Sequence, residues 1–260
     1  MSAWRNGAAK EPDDLPNLLI LPIAAATCVA TMLGGWVGIS LRDRLHLVLA
    51  FSAGAVIGVA FFDLLPEAVE LGASTGVHSL LAPRAVLALA GLGFLLYLLL
   101  DRSLPGHGSD ARGRPNPQRA WAAATSFALH SFLDGFAIGV GFQASRAVGI
   151  AVAVAVLAHD FSDGLNTVSV VLRNGGDRRG AFKWLVVDAV APVAGALTSM
   201  ALTIPTQGLA VVLALFSGFF LYVGGSDLLP ESHHAHPRLL TTVATVLGAA
   251  CLYVVAQVAG

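Results

Sequence analysis

Cysteine, lysine and charge of either sign are what this chain of 260 residues has least of. Its two cysteines, Cys28 and Cys251, stand inside apolar runs at opposite ends of the sequence, which excludes a disulfide framework or a thiolate metal site and leaves them as small packing residues. Its two lysines, Lys10 and Lys183, lie outside the apolar middle of any run, so a light-driven pump finds no Schiff-base residue. No His-Glu-x-x-His occurs, which takes away the usual source of two ligands and a general base for an intramembrane zinc hydrolase. Charged residues make up 12% of the chain against 56% hydrophobic, and a mean hydropathy of +0.74 excludes a soluble domain.

What the chain does have is apolar runs. Crossing a bilayer takes about 20 residues of helix, and eight runs qualify: about 18–39, 45–71, 80–100, 121–142, 147–172, 182–204, 209–229 and 239–258. The expected fold is an all-α integral membrane protein, one polytopic domain over 1–260, with 101–119 as a Gly-, Pro- and Arg-rich loop between the third and fourth spans. Eleven of the fifteen basic residues fall in alternate loops: Arg42 and Arg44; Arg102, Arg112, Arg114 and Arg119; Arg173, Arg178, Arg179 and Lys183; and Arg238. The positive-inside rule puts those loops in the cytoplasm and both termini outside it, and an even number of spans agrees with termini on one side. The first sixteen residues carry three acids and two bases and lack the basic start of a cleavable signal, so the first span is expected to be retained.

Two internal repeats carry the chemistry. His130-Ser-Phe-Leu-Asp134-Gly135 and His159-Asp160-Phe-Ser-Asp163-Gly164 lie halfway along the fourth and fifth spans. A His and an Asp four residues apart share one helix face. An Asp in hydrocarbon costs about 2.5–3.5 kcal/mol on insertion scales. Between Arg119 and Arg173 the only basic residue is Arg146, in the intervening turn, so a metal cation is the simplest compensator. Two imidazoles with carboxylates suit Zn²⁺, and also Fe²⁺, Mn²⁺, Co²⁺ or Cd²⁺. His130, Asp134, His159 and Asp163 supply four ligands. Asp160 and Ser131, about 100° further round their helices, offer a second ion or a water bridge; Asn166 extends the polar face, and Asp188 of the sixth span turns toward it.

The second repeat is Asp63-Leu-Leu-Pro66-Glu67 in the second span and Asp227-Leu-Leu-Pro230-Glu231 in the seventh. Spans two and seven run in opposite directions, as do four and five, and such inverted repeats mark transporters that bind substrate near the midplane. Asp63 and Glu67 then line an outer vestibule, Asp227 and Glu231 an inner one, and His233, His234 and His236 receive ions leaving the pore.

At these residues the chain resembles the ZIP (Zrt/Irt-like) family of divalent metal transporters, over essentially its whole length. The family's His-Asn-x-Pro-Glu-Gly type motif of span four falls on His130 to Gly135, and its His-Glu-x-Pro-Glu-Gly type motif of span five on His159 to Gly164. Asp134 and Asp163 stand where the family has Glu, Ser131 where it has Asn, and Leu133 and Ser162 where it has Pro. Span six has Ala191-Pro192 in place of Glu-Pro, with Asp188 one turn earlier, and in span two Asp63 replaces a His. The resemblance implies a multi-pass protein of the cell (inner) membrane that moves divalent ions, Zn²⁺ foremost, into the cytoplasm by an elevator or rocking motion, often as a homodimer. It implies a transported metal and no cofactor, the bilayer as surroundings, no nucleic-acid partner and no enzymatic activity. The rival from another class is an intramembrane zinc-dependent hydrolase, and a metal sensor is a third.

The charge asymmetry yields a direct test of topology. With Cys28 and Cys251 removed and single cysteines placed at Gly7 or Gly113, a membrane-impermeant thiol reagent applied to intact cells is expected to label position 7 and spare position 113. The reverse pattern would overturn the assignment.

Overall fold

The computed structural model describes residues 15–38, 45–74, 81–103, 117–173, 175–233 and 239–259. They form α1 (Leu15–Gly38), α2 (Leu45–Val59), α3 (Leu65–Ser74), α4 (Pro83–Ser103), α5 (Pro117–Ala144), α6 (Arg146–Arg173), α7 (Arg178–Met200), α8 (Thr206–Tyr222), α9 (Leu229–His233) and α10 (Leu239–Ala259). Two π-turns, Ala60–Leu64 and Val223–Leu228, join α2 to α3 and α8 to α9, so that the described residues make eight helices long and apolar enough to cross a membrane. The boundaries fall within a few residues of the apolar runs. The third span runs on to Ser103, which brings Asp101 into helix and out of the expected loop. The turn into α7 is set by Gly175, at φ 84°, and by Asp177, whose carboxylate accepts from the Gly180 N–H at 2.8 Å.

The helices divide into two kinds. In the second, fourth, fifth and seventh spans 61–72% of the apolar window is buried, against 17–39% in the first, third, sixth and eighth, so the former are the inner helices and the latter face lipid. They also divide into two bundles. One holds α1, α5, α6 and α7; the other holds α2, α4, α8 and α10 with the short α3 and α9. The bundles meet where α2 and α10 lie on α6 and where α8 lies on α5, and the Ser52 hydroxyl of α2 donates across that seam to the Ala158 carbonyl of α6.

Glycine sets the pairing inside each bundle. Lipid is as apolar as leucine, so membrane helices gain little from burying side chains and instead bring backbones together where side chains are absent. Four helix pairs do so reciprocally. Gly34 of α1 meets the Phe161 carbonyl of α6 while Gly164 meets that of Thr31; Gly135 of α5 meets Pro192 of α7 while Gly195 meets Phe132. Gly54 of α2 meets Thr245 of α10 while Gly248 meets Phe51; Gly93 of α4 meets Leu215 of α8 while Gly218 meets Ala90.

These contacts fix the internal symmetry residue by residue. Thr31 and Gly34 correspond to Pro192 and Gly195, 161 positions on; Phe51 and Gly54 to Leu215 and Gly218, 164 on; Ala90 and Gly93 to Thr245 and Gly248, 155 on; Phe132 and Gly135 to Phe161 and Gly164, 29 on. The first three spans repeat as the last three, and the fourth as the fifth.

The π-turns obey the same register. Pro66 and Pro230 have no N–H to give to the carbonyl four residues back, and each helix widens just before its proline. Leu65 N–H bonds Ala60 O, and 164 positions on Leu229 N–H bonds Gly224 O. Asp63 and Asp227 occupy equivalent places in the widened turns.

A Cβ at Gly54 or Gly218 has to displace backbone, whereas one at Gly91 meets nothing within 4 Å. Gly54→Ala and Gly218→Ala are expected to destabilise by roughly 1–3 kcal/mol each, the ordinary cost of overpacking, and Gly91→Ala by none. Thermal unfolding in detergent, followed by circular dichroism, reads the difference; equal midpoints for the three variants would contradict backbone contact as the organising interaction.

Candidate metal centre

The two longest helices carry the site. α5 and α6 have 28 residues each, and His130 and His159 are each the fourteenth, about 20 Å from either end at 1.5 Å per residue. Asp134 and Asp163 follow one turn later, on the same helix faces. Gly135 and Gly164, next in sequence, let α7 and α1 press against these helices from behind, so the functional side chains point into the remaining space between α5 and α6.

There the four polar ends converge. His130 Nε2 lies 3.2 Å from Asp134 Oδ2 and 3.6 Å from Asp163 Oδ2; His159 Nε2 lies 3.3 and 3.7 Å from the same two oxygens. All four donor atoms fall within 4.8 Å of one another, and all four residues are buried. A tetrahedral Zn²⁺ with bonds near 2.0–2.1 Å has ligand atoms about 3.3–3.4 Å apart, so the observed spacings fit such an ion with little adjustment.

The hydrogen bonds behind the imidazoles suit the same use. His159 Nδ1 is 2.8 Å from the Ala155 carbonyl, to which it donates, and His130 Nδ1 is 3.1 Å from the Tyr97 hydroxyl. With the ring proton held on Nδ1, Nε2 presents a lone pair to the centre, the arrangement in which neutral histidine ligates metals.

The carboxylates around the centre are treated differently. Asp188 of α7 is fully buried, and both its oxygens are occupied: Ser131 donates to Oδ1 at 2.7 Å and Thr167 to Oδ2 at 2.8 Å. Asp188 and Ser131 thus bond each other beside the four-residue cluster and link α5, α6 and α7. Asp160 is also fully buried, yet neither of its oxygens has a hydrogen-bond partner among the described residues, and neither does Asp134 Oδ1. A buried carboxylate left bare in this way is costly, and a cation close by would satisfy it. Asn166, three residues past Asp163 on α6, is half-buried.

The vestibule residues stand apart from this cluster. Asp63 is buried in its π-turn, with Oδ2 lacking a hydrogen-bond partner among the described residues, and Glu67 is half-buried on α3. Asp227 lies in the second π-turn and Glu231 and His233 in α9, while His234 and His236 fall outside the described residues.

Three contributors escaped the sequence reading. Thr167 shares Asp188 with Ser131. Tyr97 supports His130 from α4, and one turn on, Asp101 accepts from the Tyr222 hydroxyl at 2.9 Å. The signal for the last two was the i,i+4 spacing of Tyr97 and Asp101, hidden by placing Asp101 in a loop.

Comparison with known proteins agrees with this geometry. Residues 106–256 match the family model described as ZIP Zinc transporter. The chain is 26% identical over 243 residues to the zinc transporter ZupT of Corynebacterium aurimucosum, covering 87% of this chain and 91% of that one. It is 26% identical over 221 residues to the zinc transporter ZIP13 of Pongo abelii, covering 82% of this chain and 64% of the relative, and 33% identical over 103 residues to the zinc transporter ZIP4 of Mus musculus, covering 40% and 16%. The chain thus spans most of the bacterial relative and only part of the animal ones. Family, internal symmetry and buried His/Asp cluster all speak for transport, and none favours the hydrolase alternative. The chain belongs to the ZIP zinc transporter family and is a multi-pass membrane protein.

Proposed function

We propose that this protein carries divalent transition-metal ions, Zn²⁺ foremost with Fe²⁺, Mn²⁺ and Cd²⁺ as further cargoes, across the cell (inner) membrane into the cytoplasm. The observation that carries the reading is the convergence of His130, Asp134, His159 and Asp163, two from each of two symmetry-related helices, at mid-helix. A hydrolytic zinc site keeps one coordination position open for water. Four protein donors at tetrahedral spacing instead suit an ion that is held and passed on.

The bare Asp160 is the natural second station, one residue from His159, and Ser131, Asp188 and Asn166 shape its surroundings. Asp63 and Glu67 on one side, with Asp227 and Glu231 on the other, concentrate cations at the two mouths, and the histidines that follow Glu231 take up departing ions. The basic loops supply the direction, since the cytoplasmic face is the one they mark.

In the purified full chain, His130→Ala and His159→Ala are each expected to weaken Zn²⁺ binding by an order of magnitude or more. Near wild-type affinity for both Zn²⁺ and Mn²⁺ in the double variant, measured by equilibrium titration, would sink the site.

The two mouths are tested by kinetics. Asp63→Asn is expected to raise the external concentration needed for half-maximal uptake into proteoliposomes, Asp227→Asn to lower the maximal rate, and neither to change equilibrium binding much. Unchanged uptake in both variants at low ionic strength, where charges are least screened, would remove the pathway.

A further inference from the structure

The two histidines face the same carboxylate oxygens but are held by different parts of the molecule. The acceptor for His159 Nδ1 is the Ala155 carbonyl, one turn back on its own helix. The partner of His130 Nδ1 is the Tyr97 hydroxyl, on α4, in the other bundle. Tyr97 is 8% exposed, and its ring is fixed edge-on against Phe219 and Tyr222 of α8, with centroids 4.5 and 5.3 Å away. Phe219 in turn lies 5.3 Å from the His130 ring. The hydroxyl that orients His130 is therefore placed by α4 and α8, not by α5.

An apolar groove, open to the outside, lies beside Tyr97 where the bundles meet and is lined from one bundle by Leu96, Leu100 and Phe216 and from the other by Leu133 and Phe136. Tyr97 reaches His130 across the seam alongside that groove.

The internal symmetry breaks at this point. In the register that equates Gly93 with Gly248, the counterpart of Tyr97 on α10 is Leu252, a buried apolar residue that packs on Gly58. Leu252 can accept no hydrogen bond, so His159 has no hydroxyl at the equivalent place and uses its own helix.

We propose that Tyr97 is a positioning residue for His130 and makes the strength of that ligand depend on how the two bundles are packed, so that His130 is the releasable ligand and His159 the permanent one. The inference rests on the reading of the four-residue cluster as a metal centre. A neutral imidazole that ligates through Nε2 carries its proton on Nδ1, and in hydrocarbon that N–H requires an acceptor. When α5 and α6 shift against α4, His159 keeps its acceptor and His130 loses it. His130 then turns from the ion, which three ligands hold less tightly.

The test uses the full-length protein with Tyr97→Phe, His130→Ala and the double variant, each examined by Zn²⁺ titration and by proteoliposome uptake. Tyr97→Phe removes one oxygen and preserves the ring packing. It is expected to weaken Zn²⁺ binding about tenfold, in the range for loss of an outer hydrogen bond to a ligand. It is also expected to raise the half-saturating concentration for uptake while leaving the maximal rate at or above wild type. Where His130 is already Ala, Tyr97→Phe is expected to change nothing further, because its effect runs through that imidazole.

Wild-type affinity in His130→Ala would overturn the metal-centre reading itself. Weakened binding in His130→Ala with wild-type affinity in Tyr97→Phe would overturn the positioning role alone. So would an additive loss in the double variant, which a merely structural tyrosine would produce.

Discussion

Hydrocarbon offers a carboxylate no hydrogen-bond donor, and this chain sets Asp134, Asp160, Asp163 and Asp188 in the middle of its helices, with Arg146 the one basic residue between Arg119 and Arg173. Each acid has to be met by something the fold supplies or by something it admits. Asp188 is met from within, by the hydroxyls of Ser131 and Thr167. Asp134 and Asp163 are met by two imidazoles, whose Nε2 atoms become acceptors when the ring protons sit on Nδ1, against the Ala155 carbonyl and the Tyr97 hydroxyl. Asp160 has no hydrogen-bond partner among the described residues. With both rings in that tautomer the centre is an assembly of acceptors, which is the donor set a divalent cation takes.

The same requirement explains the packing. Donor atoms on two helices meet at 3.2–3.7 Å only if those helices are held at a fixed depth and rotation. Gly135 against Pro192 and Gly164 against Thr31 hold the helices one residue beyond the acids they position. Packing and chemistry are thereby written into one motif, and duplicating that motif yields two matched helices at one site.

Much of this was legible in the sequence because it is periodic or repeated. Eight apolar runs gave the spans, and the i,i+4 pairs gave the face of each helix and the cluster of four. Proline marked the two widened turns, although the sequence alone showed only a repeat and not that the backbone shifts from an i,i+4 to an i,i+5 bond there. What was not legible is the contact between residues far apart in the chain. Nothing near Asp188 announces Thr167, and nothing near His130 announces Tyr97, 33 residues earlier and in another span. Asp101 reads as the start of a polar loop until Tyr222, from a distant span, is seen to donate to it and keep the acid inside the helix.

Symmetry itself was legible, but its breaking was not, and a carrier needs both. The shared register of glycines, prolines and acids makes the two sets of helices equivalent. A site with full symmetry would nonetheless hold its ion equally in every arrangement of the bundles, and differential binding is what lets a conformational change move a ligand. The exchange of Tyr97 for Leu252 at one pair of equivalent positions gives His130 a neighbour that His159 lacks. On the proposal made above, that single hydroxyl is what lets two otherwise matched ligands respond differently to the same movement.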